Sequence, residues 1–219
     1  MPEQPPGGAR PVLVVHGLWM TGVETVLLRR RLRAHGFEPV LCRYASTRES
    51  ADVVLARLAR RAEGCGGPFH AIGHSLGGVL LLRLFAQRPE LPLARCVLLG
   101  SPAAGSRAAR RIASLPLGRS LLGPLASDGL TGGRPLPWRH RAPLGVIAGT
   151  RALGLGRLVA ALPGPNDGAV AVDETRVDGV AEHLELPVSH TGMLFSATVA
   201  RASAHFLATG GFGRHAPRR

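Results

Sequence analysis

The chain has 219 residues, 45% of them hydrophobic and 19% charged, which excludes an intrinsically disordered chain and suffices for one sizeable core. No apolar run approaches the roughly 18 residues that span a bilayer, and the N-terminus MPEQPPGGARP lacks the charged-then-apolar pattern of a signal peptide, so a cytoplasmic location is expected. The formal net charge is +13, and the 27 basic residues are all arginine, which excludes a Walker A loop, a Ser-x-x-Lys dyad and a Schiff-base lysine.

In chain order, a strand is expected from Pro11 (PVLVVHG), then a helix over Glu24–Ala34 whose wet face carries Arg29, Arg30, Arg31 and Arg33. A strand from Glu38 (EPVLCRY) and a helix over Glu49–Glu63 follow. Next come a strand from Phe69 (FHAIGH) and a helix over Gly77–Gln87, where Leu80, Leu81, Leu84 and Phe85 recur at helical spacing. A strand from Arg95 (RCVLLGS) precedes Pro102–Arg141, about 40 residues rich in Leu, Gly, Pro and Arg with one short helix expected at Ala108–Leu115. Connections this long often carry function, and a lid-like insertion is the functional reading; a wandering surface connection is the plain one. The chain closes with strands from Leu144 (LGVIAGT) and His183 (HLELPVS) and a helix over Met193–Ala208. Strands alternating with helices predict an α/β fold: one mostly parallel sheet of about six strands, helices on both faces, and a site at the carboxyl ends of the strands. One domain over 1–219 is expected, with flexible ends at 1–10 and 212–219.

Cys42, Cys65 and Cys96 are odd in number and lack metal-ligand spacing, so no disulfide framework is expected, and Cys42 and Cys96 read as small core residues. The arginines are scattered and aromatic residues are 4% of the chain, too few for a base-stacking surface. Nucleic acid is therefore not an expected partner. Attraction to anionic surfaces, including a weak one to membrane surfaces, is compatible with the charge.

The segment IGHSLGG holds a G-x-S-x-G match, a weak signal in a chain with 29 glycines. Context strengthens it, because a buried strand precedes Ser75 and a helix follows. A serine at such a turn needs small neighbours, here Gly73 and Gly77, and stands at a helix N-terminus that favours developing negative charge. Its hydroxyl needs a base. His74 is adjacent but projects away at such a turn, filling the space beneath it. His190 in SHTGML follows the last strand and meets the requirement. The base in turn needs a carboxylate to fix its tautomer. Asp167, Asp173, Glu174, Asp178, Glu182 and Glu185 all fall in the interval. Asp167 is preferred, because Pro165, Asn166 and Gly168 make a tight presenting loop; Glu174 is the reserve and Asp173 stands behind it. Two backbone N–H donors would complete the site. Leu76 follows the serine, and Leu18 stands in the VVHGLW loop, where Gly17 lets the backbone turn inward. Trp19 and Met20 would line an acyl pocket, or simply the core.

Together VVHGLW, IGHSLGG, NDGAV and SHTGML, in the order Ser, Asp, His, resemble the α/β-hydrolase superfamily, and within it small bacterial lipases and esterases with a reduced or absent cap. LGSPAAGS is similar to a lipase segment of small residues packed beside the site. The resemblance runs from about Pro11 to Phe206. It implies Ser75 as nucleophile, Asp167 as acid, His190 as base, Leu18 and Leu76 as oxyanion donors, and no cofactor or metal. It further implies hydrolysis of a small-molecule or lipid ester through an acyl-enzyme. Thioesterase, acyltransferase or amidase chemistry uses the same parts, and a binding protein without turnover is the reading from another class. Three departures stand out: the first two strands of larger members have no room, HGLW replaces a glycine run, and Pro102–Arg141 matches no known lid.

Overall fold

The computed structural model describes residues 10–132, 135–153 and 162–213. Six strands, β1 (Pro11–Val15), β2 (Glu38–Cys42), β3 (Phe69–His74), β4 (Leu93–Leu99), β5 (Leu144–Gly149) and β6 (Glu182–Leu186), form one sheet in the order β2-β1-β3-β4-β5-β6. Every pairing is parallel. The central strands are apolar at nearly every position because both faces are covered. Successive residues alternate between two cores: Leu13 and Val15 join one, Val12 and Val14 the other, and Cys96 and Leu98 face away from Val97 and Leu99.

Helices supply the covering layers. On one face lie α1 (Val26–Ala34), which buries Leu28 and Leu32, and the last helix, which buries Val199, Phe206 and Leu207. On the other lies α2 (Ala51–Glu63), whose Val54, Leu55, Leu58, Ala59 and Ala62 make a stripe at i, i+3 and i+4 spacing. Beside it packs α3 (Leu76–Gln87), in which nine of twelve residues are buried, as expected for a helix enclosed on most sides. Because β1 is followed outward by β2 but flanked on its other edge by β3, the strand order reverses between β1 and β3. Ligand sites in open α/β sheets lie in the crevice at the carboxyl ends of such a pair.

The structure departs from the sequence reading in several places. The helix expected from Glu49 begins at Ala51, since the Glu49 carboxylate turns back to accept from the Ala45 N–H and to pair with Arg57. The last expected helix is two, α6 (Gly192–Phe195) and α7 (Ala197–Thr209), because Ser196 is extended and its hydroxyl caps the Val199 N–H. The segment 102–141 holds α4 (Arg107–Ala113) and also a second helix, α5 (Gly118–Leu130), kinked where Gly123 at φ 74° precedes Pro124. Finally, the ends are held further out than expected. The Arg10 guanidinium sits 4.4 Å from the Phe37 ring centre, and Phe212 is fully buried against Phe206. The rest of the ends expected to be flexible, 1–9 and 214–219, lies outside the described residues.

Cys42 and Cys96 are buried free thiols; burial pushes the Cys42 thiol up to about 12 and Cys96 higher still, so neither is a ready nucleophile. Among the described residues no helix is long and apolar enough to cross a membrane.

Buried histidines make stability depend on pH. Burial, with neighbouring positive charge adding to it, pushes His74 down to about 3, His70 to about 4 and His183 to about 4, from an ordinary 6.5. Unfolding restores the ordinary value, so between these limits the unfolded chain binds more protons than the folded one. The stabilisation is complete above about pH 6.5 and is lost as pH falls toward 4. Thermal unfolding should therefore move to lower temperature between pH 7 and pH 5, and replacing buried His70 by a neutral residue of similar size should flatten that slope.

Candidate active site

Ser75 stands at the junction of β3 and α3, with φ 54° and ψ −124°. That region is costly for any residue with a Cβ, on the order of 1–3 kcal/mol, and persists only where the surroundings enforce it. Here the Ser75 N–H donates to the Leu99 carbonyl at 2.9 Å, and its carbonyl accepts from Gly78 at 3.0 Å. Gly77 passes so close to β1 that a Cβ would lie 2.3 Å from the Val15 carbonyl oxygen, and one on Gly73 would lie 2.5 Å from the Gly78 Cα. The glycines flanking the serine are thus set by close backbone approach.

Asp167 and His190 come from two loops beyond the sheet's carboxyl edge and meet as a pair. His190 Nδ1 lies 2.7 Å from Asp167 Oδ2, and the His190 N–H donates to the Asp167 carbonyl at 2.9 Å. Asp167 is 1% exposed, and its second oxygen, Oδ1, accepts from the Ala169 and Val170 N–H groups at 2.9 and 2.7 Å. A carboxylate held this way needs no water, and it fixes the imidazole tautomer with the proton on Nδ1, leaving the other ring nitrogen as an acceptor. Ser75 and His190 line the same cavity, of about 200 Å³.

The reserve carboxylates are engaged elsewhere. Glu174 is buried and accepts from the Arg107 and Ala171 N–H groups at 2.5 and 2.8 Å, tying α4 to the loop that carries Asp167. Asp173 forms a two-pronged ion pair with the Arg107 guanidinium, both bonds 2.7 Å.

Leu18 lies in the loop after β1, and that loop is fixed from below. The Tyr44 hydroxyl donates to the His16 carbonyl at 2.7 Å, and the two rings stack 4.2 Å apart. Leu76 opens α3, so helix geometry leaves its N–H without an intrahelical partner. Trp19 and Met20 both line the Ser75 cavity; Trp19 is 54% exposed and takes φ 57°, whereas Met20 is half-buried and also packs against the core formed with α1 and the last helix. The roof of the cavity includes Ala109 and Ile112 of α4 and Leu122 and Leu130 of α5.

Two further residues hold the pair in place: His74, expected only to fill the space beneath the turn, and Gly100, to which the sequence assigns no role. His74, fully buried beneath the turn, donates from Nε2 to the His190 carbonyl at 3.0 Å, with the two rings 4.7 Å apart. Gly100, at φ 54°, leaves space where a Cβ would lie 2.9 Å from Asp167 Oδ2 and 3.2 Å from His190 Nδ1. Gly100→Val is expected to split that pair, lowering ester turnover about 10²-fold, the scale of a roughly 1 Å misplacement. It should also lower the unfolding temperature through strain at positive φ. Parallel kinetics and calorimetry would check both effects.

An open parallel sheet with a serine on a strained strand-to-helix turn at its switch point, sharing a cavity with a half-buried histidine that is paired to a buried aspartate, defines a protein of α/β-hydrolase type. The chain belongs to the alpha/beta hydrolase family, whose model matches residues 12–211. Among solved structures it is similar to a lipase from Bacillus licheniformis in its mature form, at 17% identity and TM-score 0.73 with 94% of each chain covered. It is also similar to phospholipase PlaB from Legionella pneumophila, at 19% identity and TM-score 0.68, over 91% of this chain and 58% of that one. A metagenomic carboxyl esterase aligns at 18% identity and TM-score 0.63, over 84% of this chain and 65% of that one. At such identities the likeness is one of fold. No curated protein sequence matches the chain.

Proposed function

We propose that this protein hydrolyses carboxylic esters through an acyl-enzyme. Ser75 attacks the ester carbonyl while the unprotonated ring nitrogen of His190 takes its proton. The N–H groups of Leu18 and Leu76 hold the oxyanion, and Asp167 stabilises the imidazolium that forms. His190 then protonates the departing alcohol, and a water deprotonated by the same histidine releases the acid. Trp19 and Met20 flank the bound acyl group. The 102–141 insertion, through α4 and α5, acts as a partial lid.

The observation that carries the reading is the Asp167–His190 pair, 2.7 Å apart, beside a cavity that also contains Ser75. The lipase, phospholipase and esterase relatives agree with an ester substrate, either a small molecule or a lipid. The test is hydrolysis of p-nitrophenyl esters graded by acyl length. Turnover should be strongest for short to medium chains, since about 200 Å³ holds only a modest acyl group. It should be all but lost in His190→Ala, and activity undiminished in that variant would remove His190 from the role of base.

A further inference from the structure

The Ser75 cavity opens beside a second, larger groove of about 700 Å³, with which it shares Trp19 and Met20. The far wall is the loop after β2, and it brings Arg43 and Arg48 to the groove. Both guanidinium-bearing residues are exposed, and neither has a carboxylate within ion-pair distance among the described residues. The acids nearby are committed. Glu49 binds Arg57 and the Ala45 N–H, and Glu24 accepts from the N–H groups of Thr21 and Gly22.

Trp19 joins the two spaces. Its backbone takes the left-handed conformation, which a bulky residue adopts only when its surroundings impose it. Its N–H donates to the Ser46 hydroxyl at 3.0 Å on the groove side, and its indole Nε1 donates to the Leu121 carbonyl of α5 at 3.1 Å on the roof side. The ring is thereby fixed and half exposed where the apolar cavity gives way to the arginine groove. A ligand across Trp19 would meet Ile112, Leu122 and Leu130 on one side and two free guanidiniums on the other.

We propose that the groove is the alcohol-side subsite and that it selects esters whose alcohol carries an anionic group, a carboxylate or a phosphate, held by Arg43 and Arg48 while the acyl group occupies the apolar cavity. This rests on the ester-hydrolase reading for its direction, because an acyl chain belongs in the apolar space. Two guanidiniums converging on one anion make charge-assisted bonds that a neutral isostere cannot replace.

Binding is measured first in Ser75→Ala, by calorimetry with 4-hydroxybenzoate and its neutral counterpart 4-hydroxybenzamide. The anion should bind about tenfold more tightly, and the advantage should vanish in Ser75→Ala/Arg43→Ser/Arg48→Ser and shrink in high salt. Equal affinity for the two probes, or a preference that survives the arginine substitutions, would overturn the proposal. In the wild-type protein, kcat/KM for 4-acetoxybenzoate should exceed that for 4-acetoxybenzamide by a similar factor, with the ratio falling toward one in Arg43→Ser/Arg48→Ser. A p-nitrophenyl glutarate monoester, whose charge is on the acyl side, should show no such arginine-dependent gain; if it does, the alcohol-side assignment is wrong. Faster cleavage of dispersed phosphatidylglycerol than of phosphatidylcholine, lost in the double variant, would identify a lipid headgroup as the anion, whereas the same arginine dependence confined to soluble esters would identify a small-molecule alcohol. Arginine-dependent binding without any turnover would uphold the subsite and sink the hydrolase reading, so the two failures are distinguishable.

Discussion

Ser75→Ala is expected to lower kcat on any ester substrate by a factor on the order of 10⁶, leaving only what oxyanion donors and binding supply. The size follows from the proposed assignment, in which one hydroxyl is the nucleophile; none of Cys42, Cys65 and Cys96 lines the cavity. Fold stability should respond differently. Alanine at φ 54° retains the strain of the turn, whereas Ser75→Gly removes it, so the glycine variant should be equally inactive yet more stable by about 1 kcal/mol. Steady-state kinetics paired with thermal unfolding would show this opposition. An inactive glycine variant that is less stable than wild type would mean the backbone at residue 75 is not strained as described.

Asp167→Asn is the second large effect, with kcat expected to fall about 10⁴-fold through loss of the correct imidazole tautomer. The comparison that gives it meaning is Glu174→Gln. Both acids are buried, and both stand after β5 and before His190 in the chain. Asp167 faces the imidazole, while Glu174 faces the backbone N–H groups of Arg107 and Ala171. Glu174→Gln should therefore weaken the attachment of α4 and cost stability, about 1–3 kcal/mol for a lost charge-assisted bond, with turnover changed far less than in Asp167→Asn. If the two variants exchanged these effects, the acid would be assigned to the wrong residue.

Much of this architecture is legible in the sequence for a physical reason. Strands covered on both faces read as mostly apolar runs, so the four central strands are marked by composition more clearly than the edge strands β2 and β6, and the order of Ser75, Asp167 and His190 along the chain follows from which strand ends they succeed. The tight loop of Pro165, Asn166 and Gly168 likewise favours Asp167 among the acids, and in the structure that carboxylate stands 2.7 Å from His190. Where the reading fell short, the information was not local. Helix α5 is hidden because GRSLLGPLASDGL contains a Gly-Pro pair that normally ends a helix; its buried Leu122, Leu125 and Leu130 hold both halves against the core across the kink. His74 gave no sign that it would reach His190, 116 residues away. Gly100 looks like any turn glycine until Asp167 and His190 are placed beside it. Trp19 reads as lining an acyl pocket or the core, and only the bonds to Ser46 and Leu121 explain an exposed indole in a left-handed conformation.

The central claim is that Ser75 is activated by His190, and covalent labelling with a fluorophosphonate probe followed by peptide mapping tests it without any choice of substrate. The folded wild-type protein should be labelled on the peptide containing Ser75, with the label abolished in Ser75→Ala and all but lost in His190→Ala. A folded wild type that takes no label, or one labelled at another residue, would contradict it.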